Sequence, residues 1–376
     1  MDIVFNKPYL SGEEKNFLNF TIDQKSFSGD GTFTKKCESL IKKKNNINNC
    51  LLTNSCTSAL EISAILSKIT LGDEIIMPSY TFVSTANAFL LRGGIPVFID
   101  IKKDTLNIDE SLIEEAITER TKCIVAVHYA GLSCDMEILT RIAKKHNLIM
   151  IEDAAQAIGS KYKKKFLGSI GDLGTFSFHQ TKNIHCGEGG ALLINKKEYF
   201  KRSTIIREKG TNRREFIDGK INKYEWVDLG SSYLPSELQA AFLFSQLSKL
   251  DEVNQLRLNI WNKYHKAFEF LEKEGLLSRP KVPAYNTNNA HMYFLILKSE
   301  KLRNEFIKKM SLFKIQCTTH YVPLHITNFG KQIHKNKKNL KNTEFIAKTI
   351  VRLPLWPGIE KYQDFVIDKV IKTIRS

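Results

Sequence analysis

From about residue 50 the chain alternates short apolar runs with longer stretches whose apolar positions recur at helical spacing. Residues 50–53 read as a strand end. Residues 57–68 read as a helix, with Ala59, Leu60, Ile62, Ile65 and Leu66 apolar. A buried strand over 74–77 is stopped by Pro78. A helix over 85–91, a strand over 96–100, a helix over 112–118 and a strand over 123–127 follow. Then come a helix over 136–146 and a strand over 148–153. This alternation predicts a mainly parallel sheet with helices on both faces. Ligands of such sheets sit at the carboxyl ends of strands, where Asp153 falls.

The pattern changes further on. Residues 234–250 and 254–274 read as two helices, 292–297 as a strand, 303–310 as a helix and 315–321 as a strand. Residues 362–374 read as an amphipathic helix, and the polar run 336–342 as a loop. The change in character predicts two domains, a large one over 1–249 and a smaller α+β one over 250–376.

The 376-residue chain is long enough for a sizeable core, and its 42% apolar and 26% charged fractions are those of a globular protein. No apolar run is long enough to span a bilayer, and the N-terminus lacks the pattern of a signal peptide. The expectation is a cytoplasmic protein without membrane insertion. The seven cysteines include no CxxC pair, which predicts reduced thiols and neither a disulfide framework nor a zinc site. The net charge of +16 could point to nucleic acid. Its lysines, however, cluster as Lys42-Lys43-Lys44, Lys163-Lys164-Lys165, Lys335 and Lys337-Lys338, among asparagines and without interleaved aromatics. A compositional bias explains them, and the positive field would attract an anionic, diphosphate-bearing substrate. A basic nucleic-acid-binding regulator is the alternative of another class, but no helix-turn-helix is visible. The expectation is no nucleic-acid partner.

The candidate chemistry lies in two segments. Ser177-Phe178-His179-Gln180-Thr181-Lys182 runs from a strand-like stretch into the turn Gly187-Glu188-Gly189-Gly190. Glu152-Asp153-Ala154-Ala155-Gln156 ends an earlier strand. A lone lysine and a lone aspartate on neighbouring strand ends suit pyridoxal phosphate. The amine forms a Schiff base, and the carboxylate holds a proton on the pyridine nitrogen. Ser177 can donate a hydroxyl to a phosphate, and His179 can orient groups near the lysine. Asn54-Ser55-Cys56-Thr57-Ser58-Ala59, between strand and helix, offers a phosphate cup; an ordinary helix cap explains it equally well. Phe82, after Pro78-Ser79-Tyr80-Thr81, can stack on a ring or pack in a core. His128, His179 and His185 lack metal-ligand spacing, so no metal is expected.

These motifs, in this order, resemble the DegT-type sugar-nucleotide aminotransferases, and the likeness runs over essentially the whole chain. The resemblance implies the aspartate aminotransferase-like fold (pyridoxal phosphate fold type I). That is an α/β large domain with a mainly parallel seven-stranded sheet between helices, a smaller C-terminal α+β domain, and an N-terminal segment packed on the small domain. It implies Lys182 as the Schiff-base lysine, Asp153 at the pyridine nitrogen, Gln156 at the phenolic oxygen and Phe82 stacked on the ring. Thr57, Ser58 and Ser177 would hold the phosphate. Ser232 stands where the family usually places an asparagine from the partner subunit of a homodimer. A branch with histidine in place of the lysine removes a hydroxyl instead, and Lys182 argues against it.

Further stretches, Phe27–Gly31, Arg207–Arg213, Asp228–Leu234 and His320–His325, look like the members that aminate TDP-4-keto-6-deoxyglucose at C4. This implies L-glutamate as donor, pyridoxamine phosphate in the half-reaction, and a role in surface polysaccharides such as lipopolysaccharide O-antigen or enterobacterial common antigen. Gly29, Gly31, Arg213, Tyr321 and His325 become candidate contacts for the nucleotide sugar. Amination to the gluco epimer, or at C3, is the alternative within the class.

Overall fold

The computed structural model describes residues 2–333 and 339–376. Lys335, Lys337, Lys338 and the 336–338 part of the expected loop lie outside the described residues. Seven strands form the main sheet: β1 (Asn49–Thr53), β2 (Glu74–Pro78), β3 (Ile95–Ile99), β4 (Thr121–Val127), β5 (Ile149–Asp153), β6 (Leu173–Ser177) and β7 (Gly190–Ile194). Their order is β1-β7-β6-β5-β4-β2-β3. β3, β2, β4, β5 and β6 pair in parallel, and β7 runs antiparallel to β6 and β1. Both faces are covered, which is why these strands read as continuous apolar runs. Along β4, Cys123, Val125 and Val127 enter one core while Ile124 and Ala126 enter the other.

β5 and β6 carry the site. Glu152 turns away from it and is fully buried. Its carboxylate accepts from the backbone N–H of Gly168, Ile170 and Gly171 and meets His128 Nε2 at 3.0 Å. One side chain thus anchors the loop entering β6, while the next residue, Asp153, points to the opposite face at the strand's carboxyl end.

A second sheet holds β8 (Leu277–Ser278), β9 (Tyr293–Leu297) and β10 (Ile350–Leu353), all antiparallel. The helices Leu250–Ala267, Glu300–Leu312 and Glu360–Arg375 share a core with it through Ile260, Tyr264, Phe306, Val366 and Val370. Ile3 joins this core. Its N–H donates to Lys314 O at 2.8 Å and its carbonyl accepts from Gln316 N–H at 2.9 Å.

Four expectations need correction. Residues 112–118 form two 3₁₀ turns, Glu110–Leu112 and Glu114–Ala116. The buried pair Ile113 and Ala116 is three residues apart, a spacing that one 3₁₀ turn satisfies. Residues 315–321 are not a strand: the segment pairs through single bridges, Ile315 with Ile3 and Thr318 with Arg352. The helix expected over 254–274 starts at Leu250 and breaks at the buried Phe268, before Glu269–Lys273. The expected loop reaches no further than residue 340, because Lys341 opens the helix Lys341–Thr349.

Candidate active site

A cavity of about 690 Å³ opens at the carboxyl ends of β5 and β6. Lys182, Asp153, Gln156, Ser177, His179, Thr57, Phe82 and Tyr321 all line it. Asp153 is buried. Its Oδ2 accepts from Thr85 Oγ1 at 2.7 Å and its Oδ1 from the Ala155 N–H at 3.2 Å. Thr85 in turn receives a hydrogen bond from Thr81 Oγ1 at 2.8 Å. Among the described residues no cation forms an ion pair with Asp153, so a buried carboxylate faces the cavity held by donors and by no ion pair.

Lys182 is half-buried, and among the described residues no carboxylate lies within ion-pair distance of its amine. Burial pushes the ammonium below its ordinary pKa. Cys56 and Asp153 pull it partly back, and Arg352 lowers it further. Gln156 is held at both ends, its Oε1 accepting from Ala130 N–H at 2.7 Å and its Nε2 donating to Tyr321 Oη at 3.0 Å. His179 Nδ1 accepts from the Thr181 N–H at 3.2 Å, which leaves Nε2 as the protonated nitrogen, 3.6 Å from Glu188 Oε1. Phe82 is 57% exposed, an apolar ring standing open on the cavity wall.

The helix Cys56–Leu66 points its N-terminus into the same cavity. Ser55 caps it, accepting from Ser58 N–H at 3.0 Å. Thr57 Oγ1 meets Ser84 Oγ at 2.7 Å. Ser58 is not on the wall; its hydroxyl bonds Asn54 Oδ1 and Ser55 Oγ and shapes the loop. The residues fit pyridoxal phosphate: hydroxyls and a helix N-terminus for its phosphate, an open aromatic for its ring, and, among the described residues, a buried carboxylate and a lysine that each lack an ion-pair partner.

Other expected contacts lie elsewhere in the chain. His325 is buried off the cavity, with Nδ1 2.7 Å from Ser79 Oγ and Nε2 3.4 Å from Glu344 Oε1. Gly29 and Gly31 pack against the 234–237 segment. A Cβ on Gly29 would stand 2.5 Å from Pro235 O, and one on Gly31 2.6 Å from the Glu237 carboxyl carbon. Their lack of a side chain is explained by that packing. Arg213 sits 3.4 Å from Glu208 Oε2, and Ser232 is exposed with its carbonyl bonded to Asn54 Nδ2; neither lines this chain's cavity.

The structure adds wall residues that the pattern did not single out. Thr85 and Ser84 sit at the start of the helix Val83–Leu90. Phe5 and Asn6 arrive from the N-terminus. Burial pushes the His291 and His320 imidazoles well below their ordinary pKa. Arg257 spends its guanidinium on backbone carbonyls, Nε on Ala290 at 3.1 Å and Nη2 on His291 at 2.7 Å, and burial drops its pKa to about 9. Arg352 rises from β10 into the cavity. The seven cysteines are all free. Among the described residues no group of histidine, cysteine and acid side chains could hold a metal, and no helix is long and apolar enough to cross a membrane.

The sequence profile of the DegT/DnrJ/EryC1/StrS aminotransferase family matches residues 8–375. The chain belongs to this family. The spore coat polysaccharide biosynthesis protein SpsC of Bacillus subtilis is 35% identical over 331 residues, covering 86% of this chain and 84% of SpsC. Helicobacter pylori PseC, an aminotransferase involved in the biosynthesis of pseudoaminic acid, superposes with a TM-score of 0.90 at 27% identity, covering all of both chains. Bacillus subtilis NtdA, solved with bound pyridoxamine phosphate, gives 0.89 at 26% identity, covering 99% of this chain and 86% of NtdA. The fold is that of the type I pyridoxal phosphate aminotransferases, and the protein is a sugar aminotransferase of the DegT family. Pyridoxal and pyridoxamine phosphate are the cofactor forms found among its structural neighbours.

Proposed function

We propose that this DegT-family enzyme transfers an amino group from L-glutamate to C4 of TDP-4-keto-6-deoxy-D-glucose. The products are TDP-4-amino-4,6-dideoxy-D-galactose, for a cell-surface polysaccharide, and 2-oxoglutarate. The observation that carries the reading is the placement in one cavity of Lys182 and a buried Asp153 that has donors but, among the described residues, no ion-pair partner. Pyridoxal phosphate, when bound there, supplies the electron sink for proton loss at the amine-bearing carbon.

Asp153, fixed by Thr85, would hold the proton on the cofactor's ring nitrogen. Gln156, clamped by Ala130, would bond the ring hydroxyl, and Phe82 would stack on the ring. Thr57, Ser84 and Ser177 would hold the phosphate, with Ser58 bracing their loop. Lys182 Nζ takes the proton from the donor's α-carbon and later delivers one to C4 of the sugar; burial lowers its pKa below the ordinary lysine value and so favours the free amine. His179 orients this end of the cavity, and Tyr321 faces the sugar.

We place the domain division near residue 250 and the enzyme in the cytoplasm, as a homodimer. Tyr224, Trp226, Val227 and Leu229 form an exposed apolar run that a second copy would cover, bringing Ser232 and Arg213 towards the neighbouring site. The test is amination of TDP-4-keto-6-deoxyglucose with L-glutamate, followed by NMR of the product. An axial C4 amine and parallel double-reciprocal lines are expected; an equatorial amine, amination at C3 or no amination would contradict the substrate assignment.

A further inference from the structure

Lys182 is followed by a buried asparagine whose side chain reaches three residues beyond position 250. Asn183 Nδ2 donates to Asn254 Oδ1 at 2.9 Å and to Asn289 O at 2.8 Å, and its Oδ1 meets His291 Nδ1 at 3.0 Å. An oxygen at that place makes Nδ1 the protonated nitrogen of His291. Asn289 continues the chain of bonds. Its Nδ2 donates to the carbonyls of Gln156 at 2.9 Å and Ile158 at 3.1 Å, and its Oδ1 accepts from the His291 N–H at 3.1 Å. Arg257 binds the Ala290 and His291 carbonyls of the same link. The neighbour of the Schiff-base lysine and the backbone of Gln156 are thus tied to one link, residues 289–291, which leads into β9.

The backbone is strained at this spot. Ala290 sits at φ 51°, and Ala130, whose N–H holds the Gln156 amide oxygen, at φ 57°. Side chains rarely adopt that left-handed region, and it persists where the surroundings over-determine it. Gly131 makes room for the link, because a Cβ there would stand 2.0 Å from Asn289 Oδ1. Asn183 and Asn289 are 3% and 2% exposed, and a buried amide network is favourable only when its groups are bonded. We propose that Asn183 and Asn289 form an amide clamp that positions Lys182 and Gln156 against each other. The inference rests on the transaminase reading above and adds to it two positioning residues. Neither lines the cavity, so they act through the two residues that do. With the clamp closed, the lysine amine and the Gln156 amide can meet one ring together; with it open, each moves with its own loop.

The test follows the absorbance band of the cofactor-loaded protein across pH, which reports protonation of the Lys182 Schiff base without turnover. Asn183→Ala and Asn289→Ala should raise the midpoint of that titration by about half a unit or more. A Gln156 amide that no longer reaches the ring oxygen leaves that oxygen more basic, and the Schiff-base proton it bonds is held more firmly. The kcat should fall about tenfold while the KM of each substrate stays within about twofold, since no substrate contact is removed. Asparagine carries a donor where imidazole carries Nδ1, so His291→Asn should recover most of what His291→Leu loses. Glu237→Ala, destabilised far from the cavity, should keep the wild-type midpoint. An unchanged midpoint and kcat in both asparagine variants, with only a lower Tm, would overturn the proposal and reduce the network to packing. So would an equal shift in Glu237→Ala, or His291→Asn no better than His291→Leu. Should the alanine variants fail to fold or to take up cofactor, the His291 pair decides. A wild type without a Schiff-base band, or with one that glutamate does not bleach, would instead overturn the transaminase reading on which the clamp stands.

Discussion

At the scale of single residues, the site is an arrangement of charges without their usual partners. Among the described residues Lys182 has no carboxylate and Asp153 no cation within ion-pair distance, and each is poised for a group that supplies the missing contact. Thr85→Val should remove the 2.7 Å donor to Asp153 while keeping the shape, and lower kcat/KM about tenfold; steady-state kinetics at saturating cofactor checks this. Lys182 also predicts a pH effect on the apoprotein. Its folded pKa lies below the ordinary 10.5, so at lower pH the folded state carries the full burial penalty of the charge. That penalty fades as pH rises through the folded value towards 10.5. Thermal melts of apo Lys182→Met should therefore show a higher Tm than wild type at neutral pH, with the gap narrowing towards pH 10.5. A gap that widens would reverse the sign of the argument. Lys182, Asp153 and Gln156 were legible in the sequence because each sits in a short motif at a strand end. Thr85 and Arg352 were not: one is a single hydroxyl opening an apolar helix, the other a lone arginine inside the strand run Ile350–Leu353.

At the scale of elements, the parallel sheet was legible because double-sided burial leaves uninterrupted apolar runs. The helix Thr32–Asn45 was not, since charged residues interrupt it and its buried stripe mixes the apolar Phe33, Cys37 and Ile41 with the polar Thr34 and Asn45. Its start is fixed from a distance. Glu237, buried in the helix Glu237–Ser248, accepts from the N–H of Gly31, Phe33 and Thr34 and from the Thr34 hydroxyl. A carboxylate at a helix N-terminus is favoured both by the orphan N–H groups and by the dipole. Glu237→Ala should cost about 3 kcal/mol, read as a lower urea midpoint with an unchanged slope. The strand expected over 315–321 failed for a related reason, because its partners are single residues far away in sequence.

At the scale of the whole molecule, the cavity is closed by the two ends of the chain. Ile3 pairs with Lys314 and Gln316, and Trp356 Nε1 donates to Val4 O at 3.0 Å, which sets Phe5 and Asn6 on the wall beside Arg352. Removing residues 2–6 should leave the main sheet intact but reduce kcat/KM about tenfold, through loss of the wall and of the Phe5 contact. Circular dichroism and kinetics on the truncated chain check both halves of that statement. Contacts that close over more than three hundred residues leave no periodic trace in the sequence, so the roof of the site could be read only from the fold.

The most direct measurement is borohydride reduction of the cofactor-loaded protein, followed by peptide mass spectrometry. A pyridoxyl mass on the peptide containing Lys182, absent from Lys182→Arg, is the predicted result. Label on any other lysine, or no label while the protein still aminates a keto sugar, would contradict the account.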